Sequence, residues 1–353
     1  MKHFIPHSRP NILPIDIEAV TEVLESGMLI AGDKAHAFED AVAAYINRTH
    51  AAVLSSGTAA IYSVLSGLGI GAGDDVVIPA YVCSSLLYAV RMRGASPVIA
   101  DSGDDPFHMD RETVKRVLTR KTKAVLFPHL FGAACDISGI IELGIPVIED
   151  CALSLGSALN GVKTGSLGSC AAVCSFYATK VITAGEGGMV LSDDLMLIER
   201  IRDLVEYAHK DDGHVHFNFK MTDINAALGL SQFRRLDSFI KRRRLLASLY
   251  SEAFAHTKMA LPAEKPGEYN IFYRYVVSMY SIEKLREELQ SQRIMAERPV
   301  FKPLSLYSGL AANCPRAEET WNTSLSIPLY PALTDNEADT VIQAVINAVE
   351  KVY

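Results

Sequence analysis

The chain alternates between short apolar runs and longer stretches in which apolar residues recur at helical spacing. The apolar runs predict buried strands, and they lie at residues 52–54, 76–79, 97–100, 124–128, 146–149, 170–176 and 189–191. The helical stretches between them lie at residues 59–67, 84–93, 113–119, 137–143 and 195–207. Because strands separated by helices form parallel sheets, the pattern predicts an α/β fold built on a doubly wound, mostly parallel sheet.

The pattern changes at about residue 232, where a long charged helix begins. The elements after it are shorter, with a strand at residues 273–277, a helix at 281–292, loops or edge strands at 299–304 and 326–331, and a closing helix at 334–352 capped by Thr334. A chain of 353 residues is too long for one small core. We therefore predict a large domain at residues 1–231 and a small C-terminal α+β domain at residues 232–353.

Composition and charge narrow the class of protein. The net charge is −7, and the one dense basic run, residues 241–244, follows a helical pattern that indicates a solvated helix face rather than a nucleic-acid surface. The six cysteines form no Cys-x-x-Cys pair, which is typical of reduced core thiols. No apolar run resembles a signal peptide or reaches bilayer length. We expect a cytoplasmic enzyme with neither membrane nor nucleic acid as partner.

The first candidate for chemistry is Lys180, which lies between the strand at residues 170–176 and a glycine-dense turn at residues 185–188. Glycines in such a turn permit positive φ and the close backbone approach that a ligand site requires. Apolar surroundings favour the neutral amine of a lysine, the form that condenses with a carbonyl group to give a Schiff base. The alternative is a surface lysine after a core strand, and these residues alone leave both interpretations open.

Two further stretches carry candidate polar groups. Ser55-Ser56-Gly57-Thr58 joins a strand to a helix, and the free amides of a helix start attract a phosphate; a plain N-cap explains the same residues. Asp150 ends the strand at residues 146–149, where a buried carboxylate needs a cationic or donor partner. Its alternative role is also an N-cap. His209, His214 and His216 lack the spacing of metal ligands, so we predict no metal site.

These stretches together resemble a known family. Ser-Phe-x-x-x-Lys followed by Gly-Glu-Gly-Gly, at residues 175–188, is similar to the cofactor-lysine segment of the DegT/DnrJ/EryC1/StrS family of pyridoxal-phosphate-dependent sugar aminotransferases. Asn218 begins Asn-x-Lys-Met-Thr-Asp, which resembles the family's Asn-x-Arg-Met-Thr-Asp with Lys220 in place of the arginine. The matching residues occur in the family's order, namely Gly57, Thr58, Asp150, Ser175, Lys180 and Asn218.

The resemblance implies a fold-type-I homodimer in which the large domain binds pyridoxal 5'-phosphate (PLP). It implies that Lys180 is the Schiff-base lysine and proton shuttle, and that Asp150 keeps the cofactor's ring nitrogen protonated. The phosphate contacts implied are Gly57, Thr58, Ala59, Ser175 and, from the neighbouring subunit, Asn218. The expected reaction moves an amino group from an amino acid, by family analogy glutamate, to a keto group of a nucleotide-linked sugar in polysaccharide biosynthesis.

Two positions depart from the family pattern. Cys83 stands where an aromatic residue usually stacks on the cofactor ring, and Leu153 stands where a glutamine or histidine usually lies beside the phenolic oxygen. These departures leave open other PLP chemistry, such as dehydration or transamination of a keto-cyclitol, and a non-catalytic PLP-binding regulator. The retained Lys180 argues against the family's dehydratases, in which histidine replaces it. Substrate contacts are expected in loops at residues 28–32, 209–216 and 298–302.

His129 also matches a family pattern, in Pro-His-Leu-Phe-Gly at a predicted strand end. Between a cofactor contact and a hydrogen-bonded turn histidine, we favour the turn histidine.

Overall fold

The computed structural model describes residues 4–310 and 312–352. Its helices are α1 Pro14–Ser26, α2 Asp33–Ile46, α3 Gly57–Gly67, α4 Ser85–Met92, α5 Arg111–Val117, α6 Ser138–Ile141, α7 Leu195–Val205, α8 Asp223–Phe233, α9 Leu236–Phe254, α10 Ile282–Ser291, α11 Pro315–Thr323 and α12 Asp335–Val352. Its strands are β1 His50–Leu54, β2 Asp75–Pro79, β3 Ser96–Ala100, β4 Thr122–Pro128, β5 Val147–Asp150, β6 Ala158–Leu159, β7 Val162–Lys163, β8 Ala171–Ser175, β9 Gly188–Ser192, β10 Glu268–Tyr269, β11 Tyr275–Ser278 and β12 Ser324–Ile327.

A seven-stranded sheet in the order β1-β9-β8-β5-β4-β2-β3 organises the larger part of the chain. The neighbours from β8 to β3 are parallel, whereas β9 runs antiparallel to both β1 and β8. Successive residues of a strand face opposite sides. Val76 and Ile78 therefore join the core under α3, α4 and α7, and Val77 joins the core under α5 and α6. The predicted α/β class with a doubly wound, mostly parallel sheet is confirmed.

A second core lies around the β11–β12 pair and the helices α10 and α12. Helix α9 spans two cores, because Phe239 near its start packs with residues of β1, β8 and β9 on the α2 side of the large sheet, whereas Tyr250 near its end packs in the core around β11 and β12. Ile5, from the beginning of the described chain, also packs in the second core. The predicted division at residues 231 and 232 stays a prediction, although the change of core does fall within α9.

Some elements differ from the sequence prediction. Helix α11 and the small sheet β10-β6-β7 are additional, because a nine-residue polar helix and two-residue strands carry too little periodicity to detect. Residues 299–304, predicted as a loop or edge strand, form a loop that leads into a 3-10 turn at Leu304–Leu306. Thr334 caps α12 as predicted, since its hydroxyl accepts the N–H of Glu337 at 3.2 Å. No helix within residues 4–310 and 312–352 has the length and apolar character to cross a bilayer.

A buried carboxylate holds β5 in place. The side chain of Glu149 is fully buried and accepts four hydrogen bonds, from Gly165 N (2.7 Å), Leu167 N (3.0 Å), Ser169 Oγ (2.6 Å) and His129 Nε2 (3.0 Å). The other ring nitrogen of His129 accepts the N–H of Cys135 at 3.2 Å, so the ring proton lies on Nε2 and is donated to Glu149. The interpretation of His129 as a hydrogen-bonded turn histidine is confirmed.

We predict that Glu149→Gln lowers the free energy of unfolding at neutral pH by about 2–4 kcal/mol, because the amide turns a donor towards backbone N–H groups that then lack an acceptor. Urea unfolding measures this, with Glu142→Gln, at an exposed carboxylate, as the control. Burial opposes ionisation of Glu149, but the donors from His129, Ser169 and Gly165 hold its pKa below the ordinary value.

The pH dependence of this stabilisation follows from the lowered pKa. The contribution is fully present above the pKa of an unfolded glutamate, about 4.3, and is lost as the pH falls through the lower folded value. Wild-type protein is therefore expected to lose stability more steeply below that pH than Glu149→Gln does. Equal unfolding free energies for both proteins at neutral pH would show that this network does not anchor β5.

Candidate active site

Asp150 and Lys180 come together because their strands are neighbours. Asp150 is the last residue of β5 and lies opposite Val173 of β8, and Lys180 follows the end of β8. Both residues line one cavity of about 340 Å³, which we call the ring cavity. Cys83 and Leu153, the two departures from the family pattern, line the same cavity. The structure thus brings four positions from three separate segments of the sequence into one cavity.

The carboxylate of Asp150 is buried and accepts the N–H of Ala152 at 2.9 Å. Burial raises the pKa of Asp150, while the Ala152 N–H and the charge of Lys180 oppose this rise. A buried carboxylate on a cavity wall is stabilised by a cationic hydrogen-bond donor inside that cavity. A protonated ring nitrogen is such a donor, so this wall fits a pyridinium group.

The predicted phosphate contacts lie at the start of α3. A Cβ atom added to Gly57 would lie 2.9 Å from Cβ and 3.1 Å from Oγ of Ser175, so only glycine permits this approach. The amides of Gly57 and Thr58 are in the first helical turn, where backbone N–H groups have no intrahelical acceptor. The cap itself is Ser56, whose hydroxyl accepts the N–H of Ala59 at 3.1 Å. A helix start beside a serine hydroxyl is a suitable cradle for a phosphate.

The glycine-dense turn after Lys180 packs against this cradle. Gly188 pairs with Ser175 in the sheet, and a Cβ there would lie 2.2 Å from the carbonyl oxygen of Ser56. Gly185 has φ +77°, a backbone conformation that favours glycine. The side-chain amide of Asn225 on α8 donates to Ala184 O at 2.6 Å. The glycines predicted to allow a close approach therefore do so against the backbone of the phosphate cradle.

Several wall residues of the ring cavity were not singled out individually in the sequence. Phe131 comes from the loop after β4, whereas Phe301, Lys302 and Tyr307 come from the segment after Pro299. The side chain of Phe301 is 81% exposed, and the Lys302 ammonium lies 4.7 Å from the centre of the Tyr307 ring. Part of the predicted substrate loop at residues 298–302 thus borders the cavity. Only tertiary packing brings this segment to the strand ends.

Tyr273 is a further residue near the site that the sequence analysis did not identify. Its side chain is buried, and burial alone would raise its pKa, but the charges of Arg274 and Lys180 lower the pKa to about 8. Arg274 Nη2 donates to the phenolic oxygen at 3.4 Å. Tyr273 therefore adds a polarised hydroxyl close to the candidate cofactor lysine.

Asn218 lies outside the ring cavity. Phe217 and Phe219 on either side of it pack on Tyr62, and the Asn218 side chain between them is exposed. The carbonyl of Phe219 accepts the N–H of Ser55 at 2.7 Å, so this segment runs beside the phosphate cradle of its own subunit. Neighbouring Lys220, which replaces the usual arginine, forms an ion pair with Glu206 at 3.1 Å. A role for Asn218 across a subunit interface stays a prediction.

The histidines of the loop at residues 209–216 keep their predicted role as loop residues. His216 Nε2 lies 3.1 Å from the Asp212 carboxylate, and both residues are near Asp203 on an outer face. The two carboxylates are exposed, and a histidine–carboxylate group of this kind is common near protein surfaces.

The site combines a lysine amine, a buried carboxylate on the next strand, and a helix start with a serine hydroxyl. These groups match the aldehyde, the ring nitrogen and the phosphate of PLP in turn, and they stand at the carboxyl edge of a doubly wound sheet. This arrangement defines the class as a PLP-dependent enzyme.

Comparison with known proteins gives the family. The DegT/DnrJ/EryC1/StrS aminotransferase family model matches residues 11–346, and the chain belongs to this family. The spore coat polysaccharide biosynthesis protein SpsC of Bacillus subtilis is 32% identical over 99% of this chain and 98% of its own length. The GDP-perosamine synthase of Vibrio cholerae is 30% identical over 97% of this chain and 98% of its own length.

Solved structures agree with this assignment. The aminotransferase TlmJ of Streptoalloteichus hindustanus superposes with a TM-score of 0.93 at 29% identity, covering 99% of both chains. A putative sugar aminotransferase of Streptococcus pneumoniae in its PLP form also has a TM-score of 0.93, at 27% identity, covering 99% of this chain and 100% of that chain. The predictions of family, fold type I, enzyme class, PLP as cofactor and sugar transamination are confirmed.

The two departures give a testable prediction about cofactor binding. With Cys83 on the wall where an aromatic ring usually stacks, we predict that Cys83→Phe tightens PLP binding about two- to tenfold, the value of one aromatic contact. Titration of apoenzyme with PLP measures the dissociation constant, with Cys170→Ala as a control at a cysteine outside the cavity wall. Unchanged affinity in both Cys83→Phe and Cys83→Ala would place Cys83 away from the ring face.

Proposed function

We propose that the enzyme transfers an amino group from an amino acid, by expectation glutamate, to a keto carbon of a nucleotide-linked sugar. The observation that carries this proposal is the placement of Asp150 and Lys180 on neighbouring strand ends in one cavity. The name of the Vibrio cholerae relative, GDP-perosamine synthase, supports a nucleotide-linked sugar as substrate. The exposed Phe301 and the cationic Lys302 at the cavity wall supply an apolar surface and a positive charge for such a substrate.

Each residue of the ring cavity then has one task. The amine of Lys180 would hold PLP covalently. Once it is free, this amine would take the proton from the Cα of the amino donor and deliver a proton to the cofactor carbon that is bonded to the transferred nitrogen. The carboxylate of Asp150 holds a proton on the ring nitrogen. Bound PLP supplies an electron-poor ring that accepts the electron pair left when the Cα–H bond breaks.

The phosphate end fixes the position of the cofactor. The N–H groups of Gly57 and Thr58 and the hydroxyl of Ser175 are the donors that we assign to the phosphate within one subunit, whereas the N–H of Ala59, which the sequence also suggested, is already donated to the Ser56 hydroxyl. The contact between Gly57 and Ser175 supports this assignment, since it leaves no room for a side chain between them. Holding the phosphate orients the ring towards Lys180 without a further protein charge.

We also propose that the enzyme is a cytoplasmic homodimer with shared active sites, in which Asn218 reaches the phosphate bound by the neighbouring subunit. A phosphate dianion uses more donors than the α3 start and Ser175 provide. The exposed Asn218 side chain, held between two anchored phenylalanines, is available for that contact. The name of the Bacillus subtilis relative supports a place in polysaccharide biosynthesis.

The first test concerns Lys180 and Asp150. Lys180→Ala is expected to lose both the cofactor adduct that borohydride fixes and amino transfer, because it removes the only group that both links PLP and moves the proton. Asp150→Asn should bind PLP but lose about 3–4 kcal/mol of transition-state stabilisation, roughly a hundred- to a thousandfold in kcat.

The assay measures the rate of amino transfer from glutamate to a nucleotide-linked keto sugar. The same keto sugar without its nucleotide is the comparison substrate. Lys241→Ala, at an exposed lysine on α9, is the control variant. Turnover by Lys180→Ala at the wild-type rate would remove Lys180 from the mechanism. Equal rates with and without the nucleotide would refute the substrate class.

The second test mixes Lys180→Ala with Asn218→Ala under conditions that exchange subunits. If Asn218 serves the partner's site, each heterodimer has one site with both lesions and one intact site, so a random mixture regains about a quarter of wild-type activity. The matched control mixes Lys180→Ala with Asp150→Asn, which damages both sites of every heterodimer and should recover nothing. No recovery in the first mixture, with heterodimers demonstrated by mass, would place Asn218 in its own subunit's site.

A further inference from the structure

A second cavity, of about 450 Å³, lies behind the wall formed by Leu130 and Phe131, and these two residues line the ring cavity as well. Three polar side chains meet on its surface, Asp105, His108 and Cys135, and one potential ligand atom from each lies within 4.8 Å of the others. None of the three belongs to the PLP site described above.

The tautomer of His108 decides what this cluster can do. The ring is buried, with 6% of its surface exposed, and its Nε2 accepts the N–H of Leu130 at 2.9 Å. The proton of the neutral ring is therefore on Nδ1. Nδ1 lies 3.2 Å from an Asp105 oxygen, yet it makes no hydrogen bond of acceptable geometry within the described part of the chain. A buried N–H donor thus remains available beside the thiol of Cys135.

This arrangement disfavours a metal ion. A metal would need the lone pair of Nδ1, which forces the ring proton onto Nε2, directly against the N–H of Leu130. A ligating histidine instead donates its second N–H to a carbonyl or carboxylate. The same donor at Nδ1 suits an anionic sulfur or an oxygen bound to it, because a thiolate is stabilised by N–H groups.

The backbone of Cys135 is fixed by a hydrogen bond to His129. Its N–H is donated to His129 Nδ1 at 3.2 Å, and His129 is in turn bound to the buried Glu149. Burial alone would raise the pKa of Cys135, but hydrogen bonding by the His108 side chain holds the pKa of this thiol below its ordinary value. The charged and titratable groups around the thiol are Asp105, His108, Lys265, Glu268 and Arg274 on the cavity wall, with His129 and Glu149 behind it.

We propose that Cys135 is a reactive thiolate that a small hydroperoxide entering the second cavity oxidises to a sulfenic acid. The sulfur attacks the nearer peroxide oxygen, so an S–O bond forms and the O–O bond breaks. The sulfur is oxidised by two electrons, the hydroperoxide is reduced to water or an alcohol, and the departing oxygen takes a proton from solvent. The free Nδ1–H of His108 is the donor for the oxygen that arrives on the sulfur.

An uncharged oxidant of small size fits the site best. Cys135 is only partly exposed, which favours a small oxidant, and the ammonium of Lys265 on the cavity wall is already paired with Asp105. The oxidised sulfur would stand next to Leu130, whose N–H holds His108 and whose side chain also borders the ring cavity. Oxidation of Cys135 would therefore take place in a cavity that Leu130 separates from the ring cavity.

The test measures alkylation of each cysteine in the holoenzyme by iodoacetamide as a function of pH, with peptide mass spectrometry and a chelator present. We expect half-maximal reactivity of Cys135 at a pH below that of an ordinary thiol, about 8.5. His108→Gln should slow alkylation of Cys135 at pH 7 about tenfold by raising its pKa towards that ordinary value. Lys265→Gln changes an exposed side chain, so this variant is expected to fold. It should slow alkylation of Cys135 by a smaller factor than His108→Gln does.

The oxidation step is tested separately with hydrogen peroxide and dimedone. Wild-type protein is expected to give a dimedone adduct at Cys135, Cys135→Ser none at that position, and Cys83→Ser an unchanged adduct. Half-maximal alkylation of Cys135 at or above about pH 8.5, in wild type and in Lys265→Gln alike, would overturn the proposal. Protection of Cys135 by one equivalent of Zn²⁺ in chelator-free buffer would overturn it too, because the cluster would then be a metal site.

Discussion

The structure depends on the hydrogen bonds made to one carboxylate that is fully buried. Glu149 receives three donors from the segment just before β8 and a fourth from His129 just after β4. It therefore ties together the strands on either side of β5. The next residue is Asp150, and β8 leads directly to Lys180, so the spacing of the two cofactor residues follows from a network that contains neither of them. A buried carboxylate with complete hydrogen bonding is rigid, because every alternative position leaves a donor or acceptor unpaired.

The candidate cofactor residues stand where the sequence has a local signal. Asp150 ends an apolar run, and Lys180 stands between an apolar run and a glycine turn, but these neighbours left other roles open, and the resemblance to the family singled out the two residues. The rule that ligands bind at the carboxyl ends of parallel strands then brings them to one edge. The role of Glu149 had no such signal, since its hydrogen-bond donors come from two separate loops. A glutamate inside an apolar run shows only that some partner exists, not which one.

The second cavity and the outer wall of the ring cavity were beyond sequence reasoning for the same reason. His108 and Cys135 lie on two different loops, and the tautomer that governs them is set by the N–H of Leu130. Helix α11 is short and polar, and only Ala317 and Thr320 on it are buried, so its pattern is close to that of a loop. Contacts of this kind arise from the folded arrangement of the chain rather than from the period of any one segment.

The two sides of the ring cavity have separate origins. Asp150 and Lys180 project from the central sheet, whereas Phe301, Lys302 and Tyr307 come from a surface segment with little regular structure of its own. Sequence drift in that segment alters the shape and charge of the entrance and leaves the strand ends untouched. Such a division lets natural selection change which sugar is accepted while the chemical step is conserved. One scaffold of this design is therefore easily adapted, after gene duplication, to the diverse amino sugars of different cell surfaces.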